Sequence, residues 1–541
     1  LIGGGNSDWN AATKIDFYTA ANFNTVTGTL RFRIDSNSRI SLSNNDSGGT
    51  GGSDSTSANT ILGYLAGDDM ASGGVNNSFV GHAAGHKNTT GDSNSGFGRY
   101  AGFGNLTGDN NTFVGSSAGL SDNGSSHSRN TGVGFEALKL LTTGADNVAI
   151  GPNAGDAITT ESSTILIGRN AGGALNSTDA VGTVAVGDHS LSALTSGQKT
   201  VAIGYEAMLY MTDGDNNTVV GHTAFRTADN GESDNVVIGR AAGYSINHAS
   251  SDYNVIIGSA AGTGGAAEFS ANIAIGFAAL NSTGTNSTSG QIAVGYNALT
   301  SLTSGDGNTV VGTEAAEDIT TGNYNTVIGT QAMQNAQSGV HTNVAVGWRA
   351  GYKLGDDGGS NHSSNNVLLG VAAGGGGSST AANNTANTNV AVGNYSLGGN
   401  NGSTNFTSTN CVAIGHDALD SLQGGYSNTA VGHAAGDTIT GGAFNVLIGT
   451  NAAVSTAMAE NQIVIGRAAT GVGNNTAIIG NSSTTDVYMG DNGNTWSQTS
   501  DGRLKENVKE WDKGLDEINK LRIVEFNFKK DNPFKYNSDK K

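Results

Sequence analysis

Asn235-Val236-Val237-Ile238-Gly239-Arg240-Ala241-Ala242-Gly243 is one copy of the signature that decides how this chain folds. Asn147-Val148-Ala149-Ile150-Gly151-Pro152-Asn153-Ala154-Gly155 and Asn325-Thr326-Val327-Ile328-Gly329-Thr330-Gln331-Ala332-Met333 are two more. The signature occurs 24 times between Asn59 and Ser483, with its central glycine running from Gly63 to Gly480. Spacing is mostly 17 to 19 residues, stretches to 22 or 23 in the three intervals between Gly347 and Gly415, and shortens to 14 at the end. A period this short and regular marks a solenoid, in which each repeat is too small to bury a core alone and must stack on its neighbours.

Comparing copies within one chain exposes the physical constraint on each position. The residue before the glycine is Ile, Val, Leu or Phe in every copy, and the residue three before it is usually Thr or Val. In a strand these two share one face, because side chains alternate. The residue between them, on the other face, is apolar or Gly in every copy. Both faces of this short strand therefore call for burial: one inside the chain's own coil, the other against a second partner. The glycine supplies a sharp turn or a close approach of two backbones. Three residues after it stands Ala in 21 copies and Ser in three (Ser190, Ser396, Ser483), a size limit that implies crowding. The residue just after it varies freely (Tyr64, His82, Arg99, Asp188, Trp348), as a solvent-facing position does. With one layer per repeat at the strand spacing of ~4.8 Å, the rod is roughly 110 Å long.

Without the repeats, the composition would suggest a flexible chain: 541 residues with 84 Gly, 2 Pro and 13% charged residues. The formal net charge of −19 makes the chain a poor candidate for charge-driven binding to nucleic acid or an anionic bilayer. One cysteine, Cys411, excludes an intrachain disulfide framework. No apolar run is long enough to span a bilayer as a helix, so membrane insertion is not expected.

The Asn-Val-Ala-Ile-Gly-x-x-Ala unit resembles the head repeat of trimeric autotransporter adhesins, and phage fibres carry similar repeats. The resemblance covers about four-fifths of the chain. It implies a left-handed β-roll in which three chains pack about one axis.

The two ends differ from the rod. In residues 1–50, Ile15-Asp16-Phe17-Tyr18 and Thr29-Leu30-Arg31-Phe32-Arg33-Ile34 alternate like strands, with Ser36-Asn37-Ser38-Arg39 reading as a turn. Residues 51–484 are the shaft and 485–500 a connector. Residues 501–541 carry 11 Lys/Arg and 9 Asp/Glu, a composition unlike the sparsely charged rod and the mark of a domain boundary. There Leu515, Ile518 and Leu521 share one side of a short helical pattern, and Arg522-Ile523-Val524-Glu525-Phe526-Asn527-Phe528 alternates as a strand.

Ser500-Asp501-Gly502-Arg503-Leu504-Lys505-Glu506-Asn507-Val508, with the helix and strand after it, resembles the start of the C-terminal intramolecular chaperone of phage tailspikes and endosialidases. That resemblance implies a domain that trimerises, nucleates folding of the fibre and then cuts itself off. A Ser-Lys pair does the cutting, which makes Ser500 the nucleophile, Lys505 its base and Asp501 the residue after the cut. A serine hydroxyl does need such a base, and a desolvated lysine can act as one. Attack by a serine on its own carbonyl requires a strained four-membered ring; attack on the preceding carbonyl, or by a neighbouring protomer, does not. Only 41 residues follow Ser500, against roughly a hundred for a domain of ordinary size, so the expectation is the start of that domain.

Other candidates read as structure. His82, His222, His416 and His433 all follow the repeat glycine; each could form a three-His ring on a three-fold axis, but the variability of the position favours an outward surface. Asp213-Gly214-Asp215-Asn216-Asn217 and Asp356-Asp357-Gly358-Gly359 have residues that suit Ca²⁺, yet the pattern does not recur with the repeat, and turns explain it. Cys411 stands where Asn usually opens the strand and reads as a packed thiol. No constellation of paired carboxylates marks a glycan-cleaving groove. The long inserts at 352–365, 375–388 and 398–410 are places where a binding surface can vary without disturbing the core.

The expectation is an all-β chain: a trimeric β-roll or β-solenoid of about 24 repeats with a small α+β C-terminal segment. Together with the resemblances it implies a bacteriophage tail-fibre shaft, extracellular on the virion. It needs no cofactor, and its one enzymatic step is a single-turnover self-cleavage. The implied partners are two further copies of itself, other tail or baseplate proteins, and a host-surface glycan or protein. The competing readings are a bacterial surface adhesin, for which a C-terminal β-barrel anchor is expected, and a glycan-cleaving tailspike.

Overall fold

The computed structural model describes the strand residues 14–19, 29–35 and 40–42, and then 58–484 apart from short segments at 71–72, 122–123, 177–179, 282–283, 285, 357–362, 376–382, 385 and 399–406. The chain divides into two units, Leu1–Thr484 and Thr485–Lys541. The expected helix around Leu515, Ile518 and Leu521, and the strand after it, lie outside the described residues.

Near the N-terminus three strands, β1 (Lys14–Thr19), β2 (Thr29–Asp35) and β3 (Ile40–Leu42), form an antiparallel sheet in the order β1-β2-β3. The first two coincide with the alternating stretches of the sequence.

The rest of the described chain is all-β, a solenoid without a helix among the described residues. Its spine is a line of 24 three-residue strands, from Thr60–Leu62 to Ala477–Ile479, each pairing in parallel with the strand of the next repeat. Register never slips. Val236, Val237 and Ile238 face Val255, Ile256 and Ile257, and the long interval after Gly347 still sets Val344, Ala345 and Val346 against Val367, Leu368 and Leu369. Each repeat thus advances one layer whatever its length. Two of the inserts meet where Gly355–Asp356 pairs antiparallel with Asn383–Asn384.

The central glycine sets the layer spacing. Gly239 has φ +139, a region side chains avoid, and a Cβ added there would lie inside the contact radius of the Gly258 carbonyl oxygen, one layer on. Gly151, Gly204 and Gly329 stand in the same relation to Gly168, Gly221 and Gly347. The coil bends further at left-handed residues two positions beyond this glycine, such as Asn153, Ala241 and Gln331, with φ 56°, 53° and 57°.

Inside the coil, the middle strand residue and the Ala three after the glycine are fully buried, as in Ala149 with Ala154 and Val237 with Ala242. Ser190 and Ser396 take the Ala position with the same burial, and the hydroxyl of each donates to the carbonyl of its own repeat glycine, Gly187 and Gly393. Large residues are offset by small ones in adjacent layers. Phe113 fills space that a Cβ on Gly102, Gly119 or Gly132 would enter, so total volume is conserved while each layer varies.

The residue that opens each strand forms a ladder. Asn77, Asn94, Asn111, Asn130 and Asn147 are all buried. The side-chain oxygen of each accepts the backbone N–H of the opening residue in the next layer, at 2.9 Å for Asn77 to Asn94 and 3.0 Å for Asn130 to Asn147. The side-chain amide donates to a carbonyl of the neighbouring coil, as from Asn94 to Gly108 at 2.9 Å and from Asn147 to Glu161 at 2.8 Å. One side chain therefore satisfies a donor and an acceptor that burial would otherwise leave unpaired. Gln291 and Gln462 join the ladder. Thr200 keeps only the donor half, to Gly214 at 3.0 Å, and Cys411 makes weak thiol contacts, to the carbonyls of Thr409 at 3.4 Å and Gly425 at 3.7 Å.

Replacing Gly239 by Ala combines a disfavoured φ with a backbone clash. The variant is expected to lose at least about 2 kcal/mol of stability, read as a lowered thermal unfolding midpoint, whereas Arg240→Ala one residue on leaves the midpoint unchanged.

Candidate functional site

The same alternation that sends the middle strand residue inward sends its two neighbours outward. In the ladder strands the burial of a residue triplet typically runs part-exposed, buried, part-exposed or exposed, as in Val148-Ala149-Ile150 and Val201-Ala202-Ile203. Ile150 remains 40% exposed, Ile328 41% and Ile448 41%, although each is a large aliphatic side chain. Two outward columns, ~6.6 Å apart along the strand, follow the stack of layers. The one before the glycine is Ile, Val, Leu or Phe throughout; the other is Val or Ile in most layers and Thr or Ser in others, as in Thr112, Thr131 and Thr218. The first column alone makes a continuous apolar ridge roughly 110 Å long, a form of exposed surface that marks interaction sites.

A second outward column is formed by the residues just after the glycines. Tyr64 is 72% exposed and Trp348 45%, and His82, His222, His416 and His433 are all exposed there. Neighbouring layers stack their rings: Tyr205 on His222 with centroids 5.1 Å apart, Phe277 on Tyr296 at 5.4 Å, and His416 on His433 at 5.4 Å. The four histidines thus occupy the outward surface read from the sequence. Of the two Asp-rich turns, the first is committed to layer bonding: Asp213 accepts the Gly231 N–H at 3.0 Å and Asp215 the Gln198 N–H at 2.8 Å. The second extends into residues outside the described set.

Cys411 is fully buried, and burial raises its thiol pKa, as a packed thiol requires and a nucleophile does not.

Three ionisable residues, Glu161, Glu232 and His127, sit inside the coil at a turn position that is Gly in several other layers, and the sequence reading missed all three. One carboxyl oxygen of Glu161 accepts the Thr159 and Thr160 N–H groups; the other two residues are less well paired. Glu232 is fully buried and neither carboxyl oxygen has a hydrogen-bond partner. Burial pushes its pKa up to about 7, and nearby backbone amides oppose that shift only in part. His127 is fully buried, its two ring nitrogens have no partner, and its ring packs edge-on to Phe113 with centroids 5.5 Å apart. Burial lowers its pKa to about 4. Their only sequence signal is a charged residue seven positions before a repeat glycine, where Gly144 and Gly214 stand in other copies.

Ser500, Asp501 and Lys505 lie outside the described residues. Residues 500–541 match the family model described as chaperone of endosialidase. The match begins at the serine identified from the sequence and covers the charged C-terminal segment, less than a tenth of the chain. No curated protein matches the chain. A β-solenoid followed by an endosialidase-type chaperone sequence is a tail-fibre or tailspike-like organisation, and that family points to a phage-associated extracellular tail protein.

The buried carboxyl carries a pH prediction. Glu232 has a raised folded-state pKa, so the stability of its neutral form is fully present below the unfolded value of 4.5 and is lost as pH rises through about 7. His127 acts in the opposite sense: its contribution is present above 6.5 and is lost as pH falls through about 4. Glu232→Gln is expected to unfold at the same temperature as the parent at pH 4.5 and at a higher one at pH 8. The gain at pH 8 should be on the order of 2–3 kcal/mol.

Proposed function

We propose that this chain is the shaft of a bacteriophage tail fibre, a homotrimer that holds a host-recognition surface away from the particle. The observation that carries the reading is the apolar ridge. A single chain buries one face of each strand in its own coil and leaves Ile150, Ile238, Ile328, Ile414 and their counterparts against water along the whole rod. Hydrophobic stabilisation scales with area removed from water, so covering this ridge with two further copies is strongly favourable. Three-fold packing also makes identical layers meet, so the in-register ladder of one chain matches that of the next without adjustment.

The C-terminal segment supplies the means of assembly. A long parallel solenoid has no reason to align with its partners in one register, and slipped pairings would bury nearly the same area. A trimerising domain at one end fixes the starting layer for all three chains. Once the rod is formed the domain is dispensable, and its removal makes the trimer kinetically trapped. In this reading Ser500 of a neighbouring protomer attacks the Ser500–Asp501 carbonyl, Lys505 takes the hydroxyl proton and passes it to the departing Asp501 amine, and water then hydrolyses the acyl-serine. The variable inserts around 355–384, whose lengths exceed the regular repeat, are the place where a host glycan or protein would be recognised.

Two experiments test this. Replacing Ile238 and Ile257 together by Glu places six carboxylates in the trimer core, and the variant is expected to lose the trimer; Arg240→Glu on the outward column is expected to keep it. Trimers that persist in the double variant would exclude the ridge as the interface. Separately, chain expressed from its full coding sequence is expected to yield subunits ending at Ser500 by mass spectrometry, and Ser500→Ala or Lys505→Ala subunits retain the segment beyond it. Shedding by both variants would remove Ser500 and Lys505 from the cleavage.

A further inference from the structure

Among 24 layers, only two consecutive ones carry histidine just after the repeat glycine: His416 and His433. Their imidazoles stack with centroids 5.4 Å apart and planes 14° from parallel. Asp417, in a left-handed conformation with φ 54°, brings a carboxylate oxygen to 2.8 Å from Nδ1 of His416. One donor atom from each of the three residues lies within 4.8 Å of the other two.

The backbone beneath them is fixed. The N–H of Ala434 donates to the His416 carbonyl at 2.8 Å, and that of Asn451 to the His433 carbonyl at 2.8 Å. Gly415 and Gly432 precede the two histidines with φ +135 and +136, so both side chains leave the coil in the same direction. Three donors thus converge from a rigid base, with their side chains free to move. Ligands about a tetrahedral ion at ~2.0–2.1 Å stand closer together than 4.8 Å, and rotation of exposed side chains closes that gap without moving the backbone.

We propose that His416, Asp417 and His433 bind one divalent cation of the zinc class, which staples two consecutive layers of the coil. Two imidazoles and one carboxylate are a donor set suited to Zn²⁺, Co²⁺ or Ni²⁺ rather than to Ca²⁺ or Mg²⁺, which prefer oxygen alone. Three protein ligands leave a fourth position to water, so the ion is exchangeable. The site lies directly beyond the last of the three long intervals, where two of the inserts interrupt the regular coil. The bare alternative is a surface pair between His416 and Asp417, in which His433 takes no part.

The test is Zn²⁺ titration by calorimetry on the full chain, without a histidine tag, with Co²⁺ absorption as a probe of coordination. His416→Thr and His433→Thr are the variants, because Thr313, Thr330 and Thr450 already occupy this position in other layers and the coil accepts it. The expected result is one ion per chain with a dissociation constant of roughly micromolar order. Each variant should weaken binding by more than about tenfold, with the tetrahedral Co²⁺ bands lost and the zinc-dependent rise in unfolding temperature abolished. Binding that stays unchanged in His433→Thr, or no saturable binding by the parent, would overturn the proposal.

Discussion

Register between layers is the constraint on which the rest of this structure depends. The carbonyl of one repeat glycine lies where a side chain on the previous one would be, and φ there is closed to other residues. The asparagine at the head of each strand then ties two layers together through a donor and an acceptor at once. Each device works only if the next repeat stands directly above. Repeats that differ by several residues in length therefore still pair Val344 with Val367 and Val367 with Val390 without a slip. Inserts are tolerated because the strands on either side of them keep their register, and sequence outside the signature is free to vary.

That regularity explains why so much of the fold was legible from the chain alone. Twenty-four copies act as an alignment, and a position restricted to Ala or Ser in every one announces a crowded interior, as full burial of Ala154, Ala242 and Ser190 bears out. The free variation after the glycine marked the outward surface. The asparagine ladder was less legible. The position accepts Thr164, Gln291 and Cys411 as well as Asn, so it looks tolerant, and only the hydrogen bonds show that each substitute keeps a different share of the pairing. Glu232 and His127 were missed because a charged residue in a Gly-rich turn reads as exposed, whereas here the turn folds back into the coil. The stacking of His416 on His433 follows from both standing just after consecutive repeat glycines, but the carboxylate of Asp417 beside them depends on a left-handed turn that the sequence does not display. Ser500 and Lys505 rest on sequence alone: the family match spans residues 500–541 and assigns no role to either.

The interior and exterior of the coil divide the labour between folding and function. Inside, volume is traded between neighbouring layers, as Phe113 is against its three flanking glycines. Polar groups there are mostly paired, and Glu232 and His127 are the exceptions that make stability depend on pH from both sides. Outside, the residue before each glycine is apolar in every layer, from Leu62 to Ile479, while the column after the glycine carries rings, charges and hydroxyls in no fixed order. One column is the same in character along ~110 Å, which the proposed assembly would require, and the other is not. A rod whose interior is periodic and whose inserts are not is suited to carrying recognition on a stiff support.

Small-angle X-ray scattering from the purified chain in solution tests the central claim most directly, because it reports mass and shape together. The account predicts a rod of roughly 110 Å in its solenoid part and a particle mass three times that of one 54.3 kDa chain, less whatever is removed beyond Ser500. A particle with the mass of a single chain, stable in solution with its ridge of isoleucines and valines against water, would contradict it.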